Sequence, residues 1–307
     1  MDLKAEIGRL KRERNAIILA HYYQEGDIQD VADYVGDSLG LSQEAAKTTA
    51  DVIVFAGVHF MAETAKILNP EKRVVLPDLQ AGCSLAEACD ANDFKAFRAL
   101  YPDHVAVTYV NCSAEVKAES DIVCTSANAV KIVNSIPKHQ KILFAPDKNL
   151  GAYVSKVTGR DMLLWDGVCK VHDNLSKSKL EALKLMHPDA LIVAHPESHP
   201  EVLKLSDFTG STSEMIRYIS GSGNSKFIIG TEVGLLHQLK TVAKDKTLIP
   251  APTHEHNSCA CSECPYMKMN TLQKLYDALK TLQPEIVLDE RIRERAKLPL
   301  ERMFALS

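Results

Sequence analysis

The chain offers eight cysteines as its first chemistry: Cys83, Cys89, Cys112, Cys124, Cys169, Cys259, Cys261 and Cys264. The last three crowd together in "HNSCACSECPYM". In a chain of cytosol-like composition, disulfides are the less common use of thiols, which leaves metal binding, catalysis or burial. Cys261 and Cys264 are spaced C-x-x-C, but no second pair recurs, so a four-cysteine zinc ribbon has no other half. A second reactive set is His21, Tyr109 and His195, with Tyr23, Asn111 and Glu197 two residues further on. Ser38, Ser126 and Thr212 each stand 17 residues after the first set.

The matched offsets point to the elements that must position these groups. Three stretches align without gaps, starting "IILAHYYQ" at Ile17, "VAVTYVNC" at Val105 and "LIVAHPES" at Leu191. Each opens with an apolar run typical of a buried parallel strand. An amphipathic helical stretch, a short Asp-led strand and a hydroxyl residue opening another helix follow. Two further strands complete each copy, the last running into a loop that holds cysteine. This alternation predicts an α/β fold of three pseudo-threefold-related αβα units with parallel sheets. The units are expected at 15–84 (after an N-terminal helix, 1–14), 103–170 and 188–265, with C-terminal helices over 270–307. Functional groups in such sheets gather beyond the strand C-terminal ends, so the site belongs at the central junction. One thiolate per unit, from Cys83, Cys169 and the Cys259–Cys264 cluster, would hold a metal with one position open for substrate. Soft thiolates favour zinc or an iron–sulfur cluster. The repeat does not separate Cys264 from Cys259 or Cys261.

Composition narrows the function class. The 307 residues carry a net charge of −4, with a pI near 6.3, against the basic surplus of a nucleic-acid binder. The basic run "RLKRER" reads as the solvated face of a first helix. The charged, amphipathic N-terminus is unlike a signal peptide, and no apolar run has the length of a membrane span. The expectation is a cytoplasmic protein acting on small molecules, without nucleic-acid or membrane partners.

The strand-end position favours function for His21 and Tyr23, whereas Tyr109 and Asn111 alone read equally well as structural. His195 and Glu197 can share proton shuttling. Ser38, Ser126 and Thr212 read as N-caps whose helix ends can also bind anions. His172, three residues after Cys169, suggests a zinc-like C-x-x-H pair. His59, Phe60 and Met61 are expected to wall the pocket, and Lys148 is either a charge partner there or an exposed loop lysine. Cys89, Cys112 and Cys124 read as small buried apolar residues.

Taken together, "AHYYQ", "DSLGLSQEA", "FAGVHFMAETAKILNP", "YVNCSAEVKA", "DIVCTSANAV", "APDKNLG", "HPES", "GSTSEMI", "GTEVGLLHQL" and "CPYMKMNTL" resemble the quinolinate synthase family, in order, from about residue 15 to 280. The resemblance implies a transferase of NAD biosynthesis that condenses iminoaspartate with dihydroxyacetone phosphate to quinolinate, phosphate and water. It also implies one [4Fe–4S] cluster held by Cys83, Cys169 and Cys264, whose open iron acts as a Lewis acid. By resemblance Glu197 is the main acid/base, Tyr23 aids proton transfer, and His195 and Tyr109 act beside them. His21, Asn111, Ser38, Ser126, His172 and Thr212 contact substrate. A functional link to an L-aspartate oxidase or aspartate dehydrogenase follows from the substrate. Many family members have cysteine where this chain has Ser198. The residues also admit an aconitase-like hydro-lyase, a redox or iron sensor, a structural zinc site and a regulatory Cys261–Cys264 disulfide.

Overall fold

The computed structural model describes residues 2–254 and 262–307. Cys259 and Cys261, and with them the Cys261–Cys264 disulfide, lie outside the described residues. Among the described residues, twelve strands form three four-stranded parallel sheets. The first holds β1 (Ala16–His21), β2 (Tyr34–Gly36), β3 (Val52–Ala56) and β4 (Arg73–Val75). The second holds β5 (His104–Tyr109), β6 (Ile122–Cys124), β7 (Lys141–Ala145) and β8 (Met162–Leu164). The third holds β9 (Leu191–Ala194), β10 (Phe208–Thr209), β11 (Lys226–Gly230) and β12 (Thr247–Pro250). Each sheet has the same order, its second strand outermost, then first, third and fourth. The repeat read from the first strands therefore extends through the topology.

An aspartate pins each copy at the same place. The carboxylates of Asp33, Asp121 and Asp207 accept the N–H groups of Ile18, Ala106 and Ile192, each at 2.8 Å. The same aspartates donate their own N–H to the carbonyls of those three residues. Each reciprocal pair ties the start of a short outer strand to the first strand beside it, which explains why an Asp leads that strand.

The sheets do not share one core equally. Leu19, Phe55, Val107 and Phe144 of the first two sheets meet in one core with Leu300 and Met303 of the C-terminal helix Glu290–Ala305. On the first sheet's other face, Ile7, Leu275 and Leu279 bring in helices Leu3–Glu13 and Leu272–Thr281. Phe94, Cys89 and Cys112 cover the other face of the second sheet. The third sheet has separate cores on its two faces, one around Phe227, Ile219 and Leu239, the other around Ile192, Ile228 and Leu180. Cys89, Cys112 and Cys124 are buried apolar packing, as their context suggested.

Candidate active site

The chain leaves β1, β5 and β9 at His21, Tyr109 and His195, and these three side chains enter one cavity of about 200 Å³. Two of the exits share a local device. The Nδ1 atom of His21 faces the Tyr23 N–H at 3.2 Å, and that of His195 faces the Glu197 N–H at 3.4 Å. With Nδ1 accepting, each neutral ring carries its proton on Nε2. Burial lowers both imidazoles to about 3, so they are neutral donors at neutral pH. His195 Nε2 lies 3.2 Å from Ser126 Oγ, joining the third sheet to the second.

Around Glu197 the sheets converge through hydrogen bonds. Its carboxylate accepts from the Tyr109 hydroxyl and lies 3.0 Å from His172 Nδ1. The other His172 nitrogen is 2.8 Å from Thr231 Oγ1, which is 2.7 Å from the Tyr23 hydroxyl. His172 stacks on His195 with ring centroids 4.6 Å apart. Burial works to raise the Glu197 carboxyl, but the His172 and His195 rings and the Tyr109 hydroxyl outweigh it and hold it below its usual range. Burial, with the Glu197 charge, pushes the Tyr23 and Tyr109 phenols well above theirs. The result is a carboxylate flanked by phenols that keep their protons, linked through Thr231 and His172 into one chain of exchangeable groups.

The cysteine loops repeat with the sheets. Ala56, Ala145 and Gly230 are equivalent, because they pair in register with Ala20, Thr108 and Ala194. Three residues beyond each, a backbone N–H grips the following loop: His59 to Ala81 O at 2.7 Å, Lys148 to Gly167 O at 2.9 Å and Val233 to Ser262 O at 3.2 Å. Each accepting carbonyl stands two residues before a cysteine, namely Cys83, Cys169 and Cys264. The equivalent of Cys83 and Cys169 in the third loop is thus Cys264, which the repeat in sequence left unresolved. All three thiols line the cavity. Burial pushes Cys83 up to about 12 and Cys264 up to about 11, with Cys169 also well above its usual value, so each thiol keeps its proton at neutral pH in the unliganded chain.

The donor set suits a soft metal group. A single tetrahedral zinc, with Zn–S near ~2.3 Å, draws its thiolates to about 3.8 Å from one another. The described trio with ligand atoms all within 4.8 Å is Cys169, His172 and Glu197, not the three cysteines.

Every residue expected to catalyse, to bind substrate or to hold the metal lines this cavity: His21, Tyr23, Ser38, Cys83, Tyr109, Asn111, Ser126, Cys169, His172, His195, Glu197, Thr212 and Cys264. The Asn111 Oδ1 atom is buried with no protein partner, an acceptor open to a ligand. The hydroxyl expectation needs correction. Asp37 and Ser211, not Ser38 and Thr212, cap their helices, accepting Gly40 N–H at 2.9 Å and Glu214 N–H at 3.4 Å. Ser38 and Thr212 occupy the next position, so their hydroxyls are free of the cap. Ser126 lies in a turn ahead of helix Ala129–Ser135, whose N-cap is Asn128. Phe60 and Met61 wall the pocket, but His59 does not; it lies 3.5 Å from Glu63. Lys148 is an exposed lysine outside the cavity, at the start of helix Lys148–Thr158 rather than in a loop, and pairs with Asp166 at 2.7 Å. Ser198 is buried and its hydroxyl has no partner, so a thiol would cost no more there. Sequence reasoning missed Thr231, Asp147 and Glu232. Their signal was present, since they follow the third strand of their sheets, but the first copy has Gly57 and Val58 there and hides it.

A family model described as quinolinate synthetase A protein matches residues 5–305. The quinolinate synthase of Microcystis aeruginosa is 59% identical over 306 residues, spanning 100% of this chain and 95% of the relative. That of Gloeothece citriformis is 59% identical over 306 residues, spanning 100% and 94%. That of Trichormus variabilis is 58% identical over 307 residues, again spanning 100% and 94%. Among the described residues, no helix is long and apolar enough to cross a membrane.

Proposed function

The chain belongs to the quinolinate synthetase A protein family, an enzyme family, and we propose that it condenses iminoaspartate with dihydroxyacetone phosphate to quinolinate, phosphate and water in the cytoplasm. The supporting observation is one cavity lined by three cysteines from three loops together with Tyr23, Tyr109, His172, His195 and Glu197. Cys83, Cys169 and Cys264 would hold a [4Fe–4S] cluster, whose fourth iron supplies Lewis-acid chemistry to substrate oxygens when bound. An L-aspartate oxidase or aspartate dehydrogenase would supply iminoaspartate.

The chemistry requires enamine attack, carbonyl–enol isomerisation, imine closure and two dehydrations, each moving protons. Glu197, held as a carboxylate, takes protons as the base. Tyr109, bonded to it, and Tyr23, linked through Thr231 and His172, return protons to leaving oxygens. The Nε2–H groups of His21 and His195 orient the anionic substrates, and Asn111 Oδ1 accepts from a substrate N–H or O–H. The hydroxyls of Ser38 and Thr212, at helix starts, and of Ser126 bind carboxylate or phosphate oxygens.

The test is an anaerobic assay with dihydroxyacetone phosphate and enzymatically generated iminoaspartate. Wild type should be brown, carry about four iron per chain and form quinolinate. Cys83→Ala should lose the iron and Glu197→Ala the turnover. No quinolinate from iron-loaded wild type would overturn the assignment. The Cys169–His172–Glu197 trio favours a second reading, one ion bound there. It leaves Cys83 and Cys264 unused and takes Glu197 from Tyr109. It predicts about one metal per chain, kept in Cys83→Ala and lost in His172→Ala.

A further inference from the structure

Two buried carboxylates unused by the chemistry above occupy equivalent places in the second and third sheets. Asp147 and Glu232 stand two residues past Ala145 and Gly230, and both are fully buried. Each splits its two oxygens the same way. Asp147 Oδ1 accepts the Leu150 N–H at 2.7 Å and so caps helix Lys148–Thr158, while Oδ2 accepts the Cys169 N–H at 3.2 Å. Glu232 Oε2 accepts the Gly234 N–H at 2.6 Å, and Oε1 accepts the Cys264 N–H at 3.2 Å. Lys268 Nζ adds a contact to that second oxygen at 3.1 Å while donating to the Tyr23 carbonyl at 2.9 Å. In the first copy the place is taken by Val58.

We propose that Asp147 and Glu232 are positioning residues that clamp the backbone of Cys169 and Cys264, aiming two of the three thiols into the cavity, while Cys83 is set without a carboxylate. The inference rests on the reading of these cysteines as ligands, but the clamp is a property of the apo chain. All three loops share the grip on the carbonyl two residues before the cysteine. The second and third add a grip on the cysteine's own N–H, leaving those loops two fixed points on either side of one residue, Val168 or Glu263. A buried carboxylate in this place has no solvent to satisfy it, so the two N–H groups it accepts, joined at Glu232 by the Lys268 ammonium, are what keep it there.

Isosteric amides separate the clamp from the cap. Asn is as good a helix cap as Asp, so Asp147→Asn keeps the Leu150 bond and turns an N–H₂ toward the Cys169 N–H. Glu232→Gln does the same to Cys264. The readout is per-thiol alkylation of the apo protein by iodoacetamide, followed by mass spectrometry. Asp147→Asn should speed Cys169 labelling by about ten-fold and Glu232→Gln that of Cys264 likewise, with the other thiols changed by less than about two-fold. In iron-loaded protein, each variant should release iron to a chelator faster, and Asp147→Glu and Glu232→Asp should recover part of the loss. Equal acceleration of all three thiols would mean general loosening and overturn the proposal, as would no change. If Asp147→Asn fails to fold, Glu232→Gln carries the test on Cys264. Failure of wild type to bind iron would sink the ligand reading and leave the labelling pattern to judge the clamp.

Discussion

Glu197, just past the third sheet, meets Tyr109 of the second sheet and His172 of the helix that follows Cys169. Removing its charge while keeping its shape isolates proton handling from packing. Glu197→Gln should lower kcat by about 10²- to 10³-fold, with a much smaller change in KM and unchanged iron content, measured by quinolinate formation under anaerobic conditions. His21 and His195 carry a pH signature. Each is lowered to about 3 in the fold, against 6.5 in an unfolded chain. Below pH 6.5 the unfolded state therefore binds more protons, so stability is complete above that value and drains away as pH falls toward 3. At pH 5.5 each histidine should cost about 1.4 kcal/mol. Urea denaturation at pH 7.5 and 5.5 should show the loss, and His21→Asn should remove about half of it. Equal stability at both pH values would mean these rings are not held neutral. At this scale the site was legible because chemistry-bearing residues recur at fixed offsets after the first strands. Thr231, Asp147 and Glu232 escaped because their equivalents in the first copy, Gly57 and Val58, carry no chemistry.

The elements were readable where periodicity and apolar runs agree, and least so where a side chain decides a boundary. The short strands β2, β6 and β10 would be marginal on propensity; the reciprocal Asp33, Asp121 and Asp207 bonds hold them. Asp121 is also reached by Arg98 at 2.7 Å. Asp121→Ala should destabilise the protein by about 1–3 kcal/mol, seen as a lower urea midpoint, while Asp121→Asn should recover part of that. The hydroxyl positions show the opposite limit. "GDSLG" and "GSTSE" each contain adjacent residues able to cap, and only the backbone course reveals that Asp37 and Ser211 do so. That one-residue shift releases Ser38 and Thr212 to the cavity.

Across the whole molecule, three sheets of one topology supply one thiol each. The architecture followed from the alternation of strands and helices, but the packing hierarchy did not, because it depends on which faces the C-terminal helix closes. Helix Glu290–Ala305 adds Leu300 and Met303 to the core shared by the first two sheets. Among the described residues no such helix joins the third sheet to the others, and its cores draw on its own unit save for Tyr22. Calorimetry should register this division as a melting curve with two components. The proposed metal group and substrates would touch both blocks, so their binding free energy would add to the coupling between them. Loading the cavity should draw the two components into one transition at higher temperature, turning a loosely joined pair of folding units into a single cooperative one.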